Sequence, residues 1–142
     1  MRALLDVNVL IALHDQDHVH HTLAAQWLSS HIRQGWASCP LTQSGCLRIM
    51  AQPAYPNAQP MTVLLRMLQR SVHSKAHQLW SDDISLLDAA RFEHTHLHGH
   101  RQLTDAYLLG LAVKNDGCLV TFDTTIALSI VRGAKPEHLV TL

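Results

Sequence analysis

The stretch TDAYLLGLAVKNDGCLVTFD, residues 104–123, joins a helix to a strand and carries an aspartate close to either end, Asp105 and Asp123. Thr104 can cap a helix running to Asn115, with Asp105 in the first turn, where the helix dipole favours a carboxylate. Ala106, Leu109, Ala112 and Val113 fall on one face, and Gly117 closes the helix. Cys118 to Phe122 then reads as a buried strand that ends at Asp123.

A similar strand end stands near the start of the chain. In LLDVNVLIAL, residues 4–13, the apolar run Arg2 to Leu5 stops at Asp6, and Val7 to Leu13 either continues it or begins a helix. The reading adopted is a buried strand passing into a helix. Outward from these two segments, His21 to Gln34 spaces Leu23, Ala24, Trp27, Leu28, His31 and Ile32 as an amphipathic helix, with Gly35 as its stop. Trp36 to Cys39 suggests a short strand, and Thr42 a cap for a helix carrying Cys46, Leu47, Ile49 and Met50. Pro53, Pro56 and Pro60 mark a loop. Thr62 to Ser71 is helical by pattern, with Val63, Leu64, Met67 and Leu68 expected inside. Ile84, Leu86 and Leu87 suit a strand or a helix start, and His138 to Leu142 a final strand. Helices alternating with short apolar strands imply an α/β fold, a parallel sheet covered on both faces, built as one domain over residues 1–142.

Eleven basic and eleven acidic residues cancel, so no overall positive field advertises nucleic acid, and any such binding has to be local. Eight of the bases are arginine, which suits bidentate phosphate contacts and structural ion pairs alike. Cys39, Cys46 and Cys118 are odd in number and lack metal or disulfide spacing, which fits a reducing compartment. Asp6 and Asn8 break the apolar opening, so it is neither a signal-peptide core nor a membrane span, and a cytoplasmic protein is expected.

In a parallel sheet, ligands gather beyond the carboxyl ends of the strands. Asp6 and Asp123 each follow a strand and Asp105 opens a helix, so all three can meet at one edge of the sheet. Crowded carboxylates raise one another's pKa values unless a cation sits between them, and a hard, oxygen-seeking ion such as Mg²⁺ or Mn²⁺ answers that conflict. Each aspartate also has an ordinary reading as a cap or turn residue. Asp6 resists it most, because it interrupts an apolar run where an unpartnered carboxylate is costly. Asn8 is placed to orient Asp6 or a water.

Together LLDVNVLIAL, HHTLAAQWL (residues 20–28), CPLTQSGCLRIM (residues 39–50), TDAYLLGLA and LVTFD resemble PIN domains, and most closely the VapC-type toxins of bacterial toxin–antitoxin pairs. The resemblance implies a three-layer α/β/α fold, a Mg²⁺-dependent endoribonuclease that cleaves cellular RNA, and neutralisation by a cognate VapB-like antitoxin. It makes Asp6, Asp105 and Asp123 the metal-binding aspartates and Asn8 and Thr104 their polar neighbours. One position departs: family members place a glutamate where Gly45 stands here. The nearest polar side chains are Gln43 and Ser44, and Gln43 can offer a neutral oxygen or a bridging water but no charge.

Hydrolysis by a water that a metal acidifies needs no nucleophilic side chain. Arg48, Arg101 and Arg132 are candidates for gripping phosphate, with exposed charge or ion pairing as the plainer reading. His94, His96, His98 and His100 alternate as a zinc site might or as a polar loop, and His14, His18 and His20 are placed to line an RNA groove. A metal-dependent phosphatase is disfavoured by Asn8 where an Asp-x-Asp pair would be needed, and the missing glutamate leaves room for a PIN-fold binding module without catalysis. Trp27, Trp36, Trp80 and the Val63 to Leu68 stripe suggest an exposed apolar patch, suited to a homodimer and to a groove for an antitoxin helix.

Overall fold

Alternation along very short strands decides the layering. The computed structural model describes residues 1–142, with strands β1 (Ala3–Leu5), β2 (Trp36–Ser38), β3 (His77–Leu79), β4 (Cys118–Thr121) and β5 (Leu139–Thr141). They form one sheet in the order β3-β2-β1-β4-β5, every neighbouring pair parallel. Successive side chains point to opposite faces, so Ala3, Leu5, Trp36, Cys118 and Val120 enter one core while Leu4, Ala37 and Leu119 enter the other. Helices α1 (Val7–His14), α2 (His21–His31), α3 (Pro40–Met50) and α4 (Met61–Val72) bring side chains to the first core. Helix α5 (Leu103–Lys114) covers the second face together with Trp80, Phe92, Ile130 and Val131. This is the three-layer α/β/α arrangement, and parallel strands buried on both sides account for the unbroken apolar runs at β1 and β4.

Residue 6 settles the ambiguity that followed β1. The Asp6 side chain accepts a hydrogen bond from the Val7 amide at 2.7 Å and caps α1, so the chain turns into a helix at once. Helix α2 gives way to a 3₁₀ turn at Ile32–Gln34 and stops at Gly35, whose φ of 80° suits glycine. A side chain there would also strike Arg2, whose guanidinium donates to the carbonyls of Ala76 at 2.7 Å and Trp36 at 3.2 Å.

Several local expectations are corrected. Cys39, not Thr42, is the N-cap of α3; Thr42 lies one turn in and its hydroxyl accepts from the Cys39 amide at 3.0 Å. In α4 only Leu64 and Leu68 are buried, and Val63 faces outward beside Met61 and Leu65. Ile84, Leu86 and Leu87 form neither strand nor helix, and the strand of this region is β3 upstream. Trp36 and Trp80 are core residues and Trp27 is half-buried against His31, so no tryptophan forms the exposed apolar surface, to which α4 contributes Met61, Val63 and Leu65. All three cysteines are buried and unpaired. No helix is long and apolar enough to cross a membrane.

Candidate active site

Because the sheet is parallel, β1 and β4 lie side by side and end at the same edge, with Leu5 level with Val120. Asp6 leaves β1 there, Asp123 follows β4, and the first turn of α5 delivers Asp105. Asp6 is only 5% exposed. Besides the Val7 amide, it accepts from the Thr121 hydroxyl at 2.6 Å. That hydroxyl oxygen in turn accepts from the Asn8 side-chain amide at 3.2 Å and from the Asp123 backbone amide at 3.0 Å. Asn8 closes the ring by accepting from the Phe122 amide at 3.3 Å. One buried threonine therefore ties the end of β1, the start of α1 and the turn after β4 into one rigid unit.

Electrostatics distinguish the three acids. Burial raises the pKa of Asp6, and its two hydrogen bonds partly oppose this while the Asp123 charge adds to it. Asp105 is pushed up to about 6, first by burial and then by the charges of Asp6 and Asp123. Asp123 is held below the usual carboxylate range by Thr125, whose hydroxyl and amide both donate to Oδ1, at 2.6 and 2.7 Å. The acids thus feel one another and lack a compensating positive side chain.

A donor set of this kind suits a hard divalent cation, since it offers carboxylate oxygens alone. No three His, Cys, Asp or Glu side chains stand close enough to clasp an ion by themselves.

Other expected residues fall differently. Gln43 donates its side-chain amide to Ser38 Oγ at 2.9 Å, and Ser38 also pairs with His77 Nε2, so Gln43 is bound to the β2–β3 edge and makes no hydrogen bond to the aspartates. At Gly45 a Cβ would lie 2.7 Å from Cγ2 of Val7. This register faces α1, and a glutamate there would drive into the α1–α3 contact. Thr104 is not a cap: a 3₁₀ turn at His100–Gln102 runs straight into α5 and leaves Thr104 exposed in the first turn, without a hydrogen bond to any acid. It instead lines a shallow cleft with Leu41, Asp82, Leu86, Leu103 and Tyr107.

Arg132 is spent on Glu93 and the Ala89 carbonyl. The alternating histidines do not converge: His94 pairs with the Leu86 carbonyl and His96 with that of Ser129. His14 is half-buried and donates to Leu10 of its own helix. Residues that sequence reasoning missed are Thr121 and Thr125. The signal was a hydroxyl two residues before and two after Asp123, which acquires meaning only once β4 is placed beside β1.

A model of the PIN domain family matches residues 3–129. Ribonuclease VapC44 of Mycobacterium tuberculosis is 49% identical over 142 residues, covering 100% of both chains. Ribonuclease VapC38 of the same organism is 37% identical over 142 residues, covering 99% of each, and Ribonuclease VapC39 36% identical over 134 residues, covering 94% of this chain and 96% of that one. Among solved structures, a chain from the crystal structure of VapBC2 of Rickettsia felis bound to a DNA fragment from their promoter superposes with a TM-score of 0.60 at 11% identity. The match covers 87% of this chain and 89% of that chain, and it bears on the fold alone.

Proposed function

Since this chain belongs to the PIN domain family, and within it to the VapC ribonucleases, we propose that it is a divalent-metal-dependent endoribonuclease serving as the toxin of a toxin–antitoxin pair. The observation that carries the proposal is the convergence of Asp6, Asp105 and Asp123 at one sheet edge, with Asp105 raised to about 6 by burial and its two neighbours. Mg²⁺ is the ion proposed, with Mn²⁺ as a substitute; such an ion keeps several waters, and the three aspartates are the residues that would hold it, directly or through those waters. When bound, such an ion supplies charge neutralisation at a phosphate and acidifies water.

The chain's own groups do the positioning. Thr121 fixes the Asp6 carboxylate through a short hydrogen bond, and Thr125 fixes that of Asp123. Asn8 holds the turn after β4 against α1 through the Phe122 amide. Asp105 joins Asp6 and Asp123 from the first turn of α5, close enough to feel the charges of both.

An apolar groove formed by Leu47, Leu65, Leu68 and Val72, with Gln43 and Gln69 at its border, is the surface assigned to a helix of a VapB-like antitoxin. The exposed Met61 and Val63 also lie on α4, and we assign to this helix the surface where a second copy would form a homodimer.

Cleavage of total RNA by chelator-treated protein, before and after adding Mg²⁺ or Mn²⁺, tests the nuclease reading. Cleavage should require the added ion and be lost in Asp105→Asn. Equal cleavage in chelator, or by the variant, would refute the assigned site.

A further inference from the structure

The turn between α1 and α2 is held more firmly than an exposed histidine-rich turn needs to be. Asp15, 5% exposed, accepts from the Tyr55 hydroxyl, from the Asn57 side-chain amide at 3.0 Å and from the Asp17 amide at 3.0 Å. Its carbonyl accepts from the His18 amide at 3.0 Å. His18 Nδ1 in turn accepts from the His20 amide at 3.0 Å, and His21 bonds the Ala12 carbonyl through Nδ1 at 2.8 Å. These links fix the backbone of the turn, and His20 is among the residues that it leaves exposed.

The His20 ring stacks on Phe122, with centroids 4.7 Å apart and planes inclined by 30°. Phe122 lies between Thr121, which binds Asp6, and Asp123, and its own amide is held by Asn8. One face of His20 is thus covered by an aromatic residue of the active-site turn, while the residue remains exposed. The His18 ring lies 5.8 Å from His20 and is tilted by 46°, so it does not stack on it. Among the twelve histidines, His20 is the one joined to the acidic site by an aromatic stack.

A preorganised pair of flat rings with an open face, next to the place where a phosphodiester is cut, has the chemistry of a base-stacking platform. We propose that His20, backed by Phe122, is a specificity-determining residue that stacks an unpaired RNA base neighbouring the scissile phosphate. The assignment rests on the endoribonuclease reading. It makes the enzyme one that needs a splayed, single-stranded nucleotide beside the cut, since a base locked in a duplex has no free face to offer.

The test uses single-stranded oligoribonucleotides spanning a mapped cut site, with 2-aminopurine placed in turn at each position around the cut. They are bound to the whole chain in chelator, so that cutting is not required. Fluorescence should be quenched at a position flanking the cut. His20→Ala should abolish that quenching and weaken binding by roughly tenfold, the usual scale of one aromatic stack, while His20→Phe should retain both. Unchanged quenching in His20→Ala overturns the platform, as does a loss that His20→Phe fails to restore although its thermal melt matches the wild type. Should no RNA be cut once metal is supplied, the same 2-aminopurine scan along one fixed single-stranded oligoribonucleotide separates the two readings: quenching there that depends on His20 would uphold the platform and break the nuclease reading instead.

Discussion

A carboxylate forced to ionise beside two others works against its own fold. Asp105 has a folded pKa of about 6 against an ordinary 3.8, so between these values the folded chain keeps a proton that the unfolded chain has released. Stability contributed by this group is therefore present below about pH 4, falls as pH rises through 6, and is absent above. Asp105 is only half-buried, so water screens much of the penalty. After that discount, Asp105→Asn should stabilise the metal-free protein by about 1 kcal/mol at pH 7, a rise in Tm of about 3 °C, while lowering RNA cleavage by roughly 100-fold or more. Melts in chelator from pH 4 to 8 check the first half: the wild type should lose ground to the variant as pH rises, and parallel curves would contradict the pKa argument. Adding Mg²⁺ should raise the Tm of the wild type more than that of the variant. Thr121→Val asks a different question. The substitution keeps the shape but removes the hydroxyl that bonds Asp6, Asn8 and Asp123. Metal affinity by calorimetry, or cleavage, should fall by roughly 10–100-fold, and unchanged values would reduce Thr121 to a packing residue.

Between elements, the tightest contact near the site is the crossing of α1 and α3. Gly45 allows it, since the Val7 side chain occupies the space a Cβ would need. Gly45→Glu should therefore cost about 1–3 kcal/mol and return no activity; Gly45→Glu together with Val7→Ala should recover part of the loss. Denaturant midpoints for the four chains settle this, and a stable, more active Gly45→Glu would reverse it. How far such elements can be read from the chain depends on what makes them. Strands β1 and β4 were legible because burial on both faces leaves an unbroken apolar run, and the acids at their ends followed from the polarity of a parallel sheet. Strand β3 was not. It is an edge strand whose residues are half-exposed or exposed, held by partners distant in sequence: the Trp36 amide on the Ala76 carbonyl and the Trp80 amide on that of Ser38. Its residues carry no apolar alternation to read. Helix α5 was legible in its body but not at its start, because the preceding 3₁₀ turn supplied the entry that a capping Thr104 was expected to make. The hydrogen-bond ring around Thr121 lay out of reach for a simpler reason: it joins residues 6, 8 and 121, and nothing local marks it.

Seen whole, the molecule separates its acidic edge from its sticky helix. The α4 groove is apolar at its centre and includes none of Asp6, Asp105 and Asp123, so binding and cutting should be separable by mutation. Leu65→Lys should weaken capture of a co-expressed antitoxin by about tenfold or more with RNA cleavage by the free protein unchanged; equal capture would move the antitoxin to another surface. Light scattering should report a dimer at micromolar concentration, and a clean monomer would remove α4 as a self-association surface. The pairing of β1 with β4 carries a further consequence, because it aligns Ala3 with Cys118 across most of the chain. Asp6 is synthesised long before Asp123. Local helices can form while synthesis proceeds, yet the acids cannot meet until β4 slots in beside β1, and closing so long a loop comes late. Topology alone thus delays the proposed site: a nascent chain cannot bring the three acids together before the segment carrying β4 has been made and folded.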